Sequence, residues 1–149
     1  MGEGGEHGIG RAVLGRSGGL RDLARDPPLV IDLSALWAGP LCGALLARAG
    51  HDVTFVGRAD HVAAINAHGV LLETATFKGH LPARATVDPG AAPAADLVLF
   101  CVKSTDTESA GRAMMPALRA DSVILSLQNG VDNAARLEAA IGQRVLAAV

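Results

Sequence analysis

Two polar clusters, Lys103-Ser104-Thr105 and Gln128-Asn129-Gly130, carry the side chains in this sequence best placed for chemistry. Each follows directly on a short, almost wholly apolar run, residues 97–102 and 123–127, and one helix-length segment separates the two. A lysine at the end of an apolar run can meet a phosphate, a ribose or an acidic substrate; a snorkelling surface lysine occupies the same kind of place. Asn129 offers both a donor and an acceptor to a ligand carbonyl or hydroxyl, although Asn-Gly is also a frequent turn with no further role.

Two more positions belong with these. Arg58 follows the apolar segment 52–56 after Gly57. In a dinucleotide site the residue at the end of the second strand discriminates: an acidic side chain takes the ribose hydroxyls of NAD, whereas an arginine can fork onto the 2′-phosphate of NADP. An unengaged surface arginine is the alternative at this position. Ahead of it, a glycine turn should follow the first strand, with one glycine for the tight turn, one for close approach of backbone to pyrophosphate and one for helix–strand packing. Counted back from Gly50, these positions fall on Ser34, Leu36 and Gly39. Only the third is glycine. Leu36 brings a branched side chain where the phosphate should approach, and Trp37 adds bulk beside it. The turn therefore also reads as an ordinary strand–helix connection that binds no phosphate.

The elements that must position these residues follow from pattern. A Val- and Ile-rich run too short for a buried helix reads as a strand covered on both faces. Strands at 97–102 and 123–127 with a helix over about 106–118 form a βαβ unit, parallel and right-handed in its crossover, with Pro116 ending or bending the helix. Ligands of such sheets sit at the carboxyl ends of the strands, which is where Lys103 and Asn129 fall. Ahead of this unit the sequence predicts strands at 29–33 and 52–56, helices at 41–49 and 59–67 with Gly50 and Gly69 after them, and Pro40 in the first turn of the earlier helix. Residues 70–87 lack a helical period and predict two or three short extended segments, a hairpin on one edge. A helix over 132–141, with Asp132 as N-cap and Gly142 as stop, leads into a last apolar run from Arg144. The expected architecture is an open, doubly wound Rossmann-type α/β sheet over residues 28–149 with an inserted β-hairpin, after a Gly-rich, charged leader at 1–27.

Composition narrows the function classes. The 149 residues are half hydrophobic and 19% charged, as in one globular domain. A net charge of -2 gives no electrostatic case for nucleic acid. No apolar run approaches the roughly 20 residues a membrane span needs. The N-terminus lacks the basic and apolar regions of a signal peptide. Cys42 and Cys101 have neither metal-ligand spacing nor disulfide-scaffold density, so a reduced, cytoplasmic protein is expected. His51, His61, His68 and His80 show no ligand spacing and read as surface or loop residues, and Met114-Met115 as core.

From Ala47 onward, three segments resemble the N-terminal domain of ketopantoate reductases (2-dehydropantoate 2-reductases): Leu-Ala-Arg-Ala-Gly-His-Asp-Val-Thr-Phe-Val-Gly-Arg ending at Arg58, Asp96-Leu-Val-Leu-Phe-Cys-Val-Lys-Ser-Thr-Asp-Thr, and Leu125-Ser-Leu-Gln-Asn-Gly-Val-Asp-Asn. The resemblance implies NADPH-dependent reduction of ketopantoate to pantoate. It implies that Arg58 meets the 2′-phosphate, that Lys103 lies near the cofactor, and that Asn129 bridges cofactor and substrate. The family's helical second domain supplies the catalytic lysine and has no counterpart in this sequence, so the chain is expected to be truncated, with a 2-oxo acid as substrate only in the complete enzyme and an exposed apolar edge suited to self-association. The segment Pro28-Leu-Val-Ile-Asp-Leu-Ser-Ala-Leu-Trp-Ala-Gly-Pro instead resembles a strand–turn–helix of family III CoA-transferases, over residues 28–46, which implies a junction near Ala47–Gly50. Two other functions stand beside the reductase: a non-catalytic Rossmann-like module that has lost dinucleotide binding, and a CoA-transferase-like fragment.

Overall fold

Strand β1 (Leu29–Ser34) alternates its side chains between two covered faces, and the rest of the chain builds outward from it. In the computed structural model, which describes residues 28–34 and 38–148, β1 is followed by helix α1 (Ala38–Arg48), strand β2 (Asp52–Val56) and helix α2 (Ala59–His68). Strands β3 (Val70–Glu73) and β4 (Lys78–Leu81) pair antiparallel as a separate hairpin. Then come β5 (Arg84–Thr86), β6 (Ala95–Cys101), α3 (Thr107–Met114), β7 (Leu118–Ser126), α4 (Asn133–Ile141) and β8 (Val145–Ala147). Six strands form one parallel sheet in the order β5-β2-β1-β6-β7-β8. The chain winds from β1 to one side, then returns and winds to the other. This is the doubly wound Rossmann-like arrangement expected from the sequence, with the hairpin inserted where the helical period fails.

Both faces of the sheet are covered, which is why its strands read as continuous apolar runs. Ile31, Leu33, Val98, Phe100 and Ile124 pack with Met114, Leu137 and Ile141 on the α3–α4 side. Val30, Val53, Phe55 and Leu99 pack with Ala44 of α1 and with Val70 and Leu72 of the hairpin on the other. The close approach of α1 to the sheet is made at Gly43, where a Cβ would stand 2.7 Å from the Phe55 ring.

The boundaries differ from expectation for identifiable reasons. α1 begins at Ala38, with Pro40 inside its first turn. Pro116 ends α3 earlier than expected, at Met114, and a 3₁₀ turn over Met115–Ala117 follows. β7 then starts at Leu118, well ahead of 123. Its polar first half is held by side chains: Ser122 Oγ donates to the Ala95 carbonyl, and Arg119 pairs with Asp96 at 2.7 Å, across a register shift between Ala95 and Leu97. Met114 is fully buried, but its neighbour Met115 is 47% exposed, so only the first of the pair is core. Asp132 takes the N-cap position of α4 without a side-chain cap bond, while Gly142 stops that helix in the left-handed conformation.

Candidate functional site

The strand order reverses between β1 and β6, and the helices that follow them, α1 and α3, cover opposite faces of the sheet. A cleft of about 480 Å³ opens at this point. Leu33 of β1, Val56 of β2 and Val102, the residue after β6, form part of its lining, and Gly57, Arg58 and Lys103 continue it. Arg58 is exposed and holds the extended N-cap position of α2, φ -73° and ψ 156°, as the chain leaves β2. Lys103 is exposed and equally extended, φ -62° and ψ 146°, before the 3₁₀ turn Ser104–Asp106. Two cationic side chains thus stand on opposite flanks of the switch point, with Asp106 and His61 also in the wall. Such a pair suits an anionic ligand lying across the strand ends.

A second, largely apolar cavity of about 350 Å³ adjoins the first and shares Val56, Gly57 and His61 with it. It lies between α2 and the β3–β4 hairpin, with His68 and His80 in its lining. These histidines are exposed, as expected, but His61 also borders both cavities, a role its sequence context did not disclose. Among the described residues no group of three or more His, Cys, Asp or Glu side chains could hold a metal ion.

Beside the cleft, the loops after β6 and β7 are joined by a buried polar network. Gln128 Nε2 donates to the Val102 carbonyl at 3.0 Å and to Thr107 Oγ1 at 2.9 Å, and Gln128 Oε1 accepts from Ser126 Oγ at 3.1 Å. Thr107 Oγ1 donates to the Ser104 carbonyl at 3.1 Å. Asn133 Nδ2 donates to Ser104 Oγ at 3.0 Å and to the Asn129 carbonyl at 2.7 Å. Arg136 donates to the Ser104 carbonyl at 3.0 Å and grips Glu108 with two bonds of 2.7 and 2.9 Å. That bidentate bond holds the Glu108 carboxyl below its ordinary range.

The expected site residues fall as follows. Arg58 and Lys103 line one cleft. Asn129 is exposed in the adjacent loop, tied to Ser104 through its carbonyl. Ser34 ends β1 opposite Cys101, and Gly39 is buried in the first turn of α1. Leu36 and the leader 1–27 lie outside the described residues, as does the side chain of Ser34. Sequence reasoning missed Asn133, Thr107 and Arg136; their one signal is that they follow the two clusters at helical spacing. It also passed over Asp32, which is fully buried on β1. Cys101, half-buried nearby, has its thiol pushed up to about 12, first by burial and then by Asp32 and Cys42.

A profile described as ketopantoate reductase PanE/ApbA matches residues 38–149. The 2-dehydropantoate 2-reductase of Pyrococcus horikoshii is 41% identical over 95 residues, which are 64% of this chain and 31% of that one. The enzyme of the same name from Halobacterium salinarum is 40% identical over 103 residues, 66% of this chain and 33% of that one. The crystal structure of a PanE/ApbA family ketopantoate reductase from Ralstonia eutropha JMP134 superposes with a TM-score of 0.75 at 50% identity, covering 81% of this chain and 40% of that one. The chain spans about a third of the length of the curated relatives it matches. The profile match begins at residue 38, ahead of Ala47, so α1 falls within it, and the CoA-transferase resemblance over 28–46 gains no support. By this match, carried on a Rossmann-like dinucleotide-binding fold with a cleft at its switch point, the chain belongs to the ketopantoate reductase PanE/ApbA family.

Proposed function

We propose that this chain is the NADP-binding part of a 2-dehydropantoate 2-reductase, working in the reduction of ketopantoate to pantoate. The observation that carries the reading is the cleft at the switch point, with Arg58 on one flank and Lys103 on the other. A 2′-phosphate suits Arg58, whose guanidinium can fork onto two phosphate oxygens. Lys103 adds a second positive charge toward the cofactor. Asn129, exposed in the next loop, has an amide that can donate to and accept from cofactor and 2-oxo acid. When bound, the nicotinamide supplies the hydride that reduces the 2-oxo carbon; the oxygen of that carbonyl then takes a proton from an acid that we assign to a helical partner domain. The small-molecule partner is the 2-oxo acid, no nucleic acid or membrane is involved, and the setting is the reduced cytoplasm, in keeping with the free thiols of Cys42 and Cys101. Among the described residues no helix is long and apolar enough to cross a membrane. The β8 side of the sheet, where Leu146 is 45% exposed, is the edge proposed for self-association.

The test is a calorimetric titration of the purified chain with NADPH, with NADH as control, for the wild type and Arg58→Ala. A lost charge-assisted contact to phosphate costs about 1.5–3 kcal/mol, so NADPH should weaken roughly ten- to a hundredfold while NADH changes little. Alone, the chain should turn over ketopantoate negligibly; brisk NADPH oxidation would contradict the assignment of the acid to another domain. The second reading, a Rossmann-like module that no longer binds dinucleotide, is motivated by Ser34 and Leu36 at two of the three fingerprint positions. A folded chain with no NADPH binding would establish it.

A further inference from the structure

We propose that Asn133 is a positioning residue that locks the loop carrying Lys103 to the loop carrying Asn129, so that both side chains reach one ligand; this rests on the dinucleotide reading. Asn133 is the first residue of α4 and is 2% exposed. Its amide does not cap its own helix. Nδ2 spends both hydrogens on the two loops, one on Ser104 Oγ at 3.0 Å and one on the Asn129 carbonyl at 2.7 Å. Because a carbonyl only accepts, that bond also sets which way the amide faces. Oδ1 then points to Arg136 Nη1 at 3.3 Å and Thr107 Oγ1 at 3.4 Å.

Ser104 is the neighbour of Lys103, and Asn129 is itself the expected ligand contact. Deeper in the sheet, the pairing of β6 with β7 and the Gln128 bonds already hold the strand ends together. Asn133 acts beyond the strand ends, on the loops alone. A buried amide whose two hydrogens are both bonded favours one geometry and penalises others, because a shift of either loop leaves a polar group unpaired in a low dielectric. The Arg136–Glu108 pair braces the same point: Arg136 reaches the Ser104 carbonyl from one face while bound to Glu108 on α3. The loop of Lys103 therefore does not move independently of the loop of Asn129.

The experiment uses the full chain with Asn133→Asp, Lys103→Ala and the double variant. Asn133→Asp keeps the shape but donates nothing and sets an anionic oxygen against the Asn129 carbonyl. Its charge at the start of α4 and beside Arg136 favours the helix, so α4 itself should not weaken. Two readouts are taken: ¹⁵N relaxation of the ligand-free chain, and calorimetric affinity for NADP⁺. The expected result is that amides of 103–106 and 129–132 lose order together in Asn133→Asp. NADP⁺ should weaken about tenfold in each single variant, and the double variant should be no worse than Lys103→Ala, rather than the roughly hundredfold loss of independent effects. A merely structural role gives losses that multiply, and that outcome overturns the proposal. So does an unchanged loop order in Asn133→Asp when the wild type binds NADP⁺. A wild type that binds no NADP⁺ instead fails the dinucleotide reading, and the positioning proposal falls with it. If Asn133→Asp does not fold by circular dichroism, Ser104→Ala removes the loop-side partner at an exposed residue and carries the same two readouts.

Discussion

Replacing Gln128 by leucine preserves the volume of a buried side chain while deleting its amide. Gln128 is 6% exposed, and its three hydrogen bonds reach Val102, Thr107 and Ser126. In the variant, Thr107 keeps its bond to the Ser104 carbonyl. The Val102 carbonyl loses this donor, and the Ser126 hydroxyl, 3% exposed, loses its acceptor. Each buried group so orphaned costs about 1–3 kcal/mol. Burying a leucine side chain returns about 1.5–3 kcal/mol. The balance is a loss of about 2 kcal/mol, which for a domain of this size lowers Tm by roughly 4–8 °C. The control is the same exchange at Gln143. Its Nε2 makes one bond, to the Arg119 carbonyl at 3.0 Å, and its buried Oε1 has no partner among the described residues. Gln143→Leu removes one bond and one unpaired acceptor together and should stay within about 1 kcal/mol of the wild type. Far-UV circular dichroism melts and urea titrations of both variants make the comparison. A Gln128→Leu midpoint within about 1 °C of the wild type, or equal shifts in the two variants, would refute the reasoning.

Two further outcomes follow from the same structure. Gly43→Ala sets a methyl group against the Phe55 ring and Asp32 beneath α1 and should destabilise by about 1–3 kcal/mol, read from the urea midpoint; a neutral result would mean that α1 can lift off the sheet. Glu108 titrates lower when folded than when unfolded because Arg136 bonds its carboxylate, so its contribution is present at neutral pH and is lost as the pH falls below the ordinary 4.5 through the depressed folded value. Tm measured down the acid limb should therefore fall less steeply in Arg136→Ala than in the wild type, and parallel curves would contradict the pairing.

Much of the fold and part of the site are written locally. The apolar runs at β1, β2, β6 and β7 are short, β-branched and unbroken because both faces of the sheet are covered, and a period that local can be read without knowing what covers it. The hairpin announced itself where the helical period stopped, and Gly50, Gly69 and Gly142 marked helix ends through their positive φ. Pro116 was legible as a breaker, but the early start of β7 was not, since its polar residues are held by Asp96 and Ala95 from a distant strand. Strand order likewise is not local: β5 joins the sheet edge beside β2 with Asn66 bonded to the Ala85 backbone.

The sequence by itself determined that Arg58, Lys103 and Asn129 each stand just beyond an apolar strand, because strand and loop composition change at a single residue. Only the tertiary structure decided that Arg58 and Lys103 face one cleft, since that requires β2 and β6 to lie on either side of β1. It also decided that Asn133, Thr107 and Arg136 tie together the loops that follow β6 and β7. Those hydrogen bonds span 21 to 32 residues of chain, and although their residues follow the two clusters at helical spacing, nothing local says which distant partner each one meets.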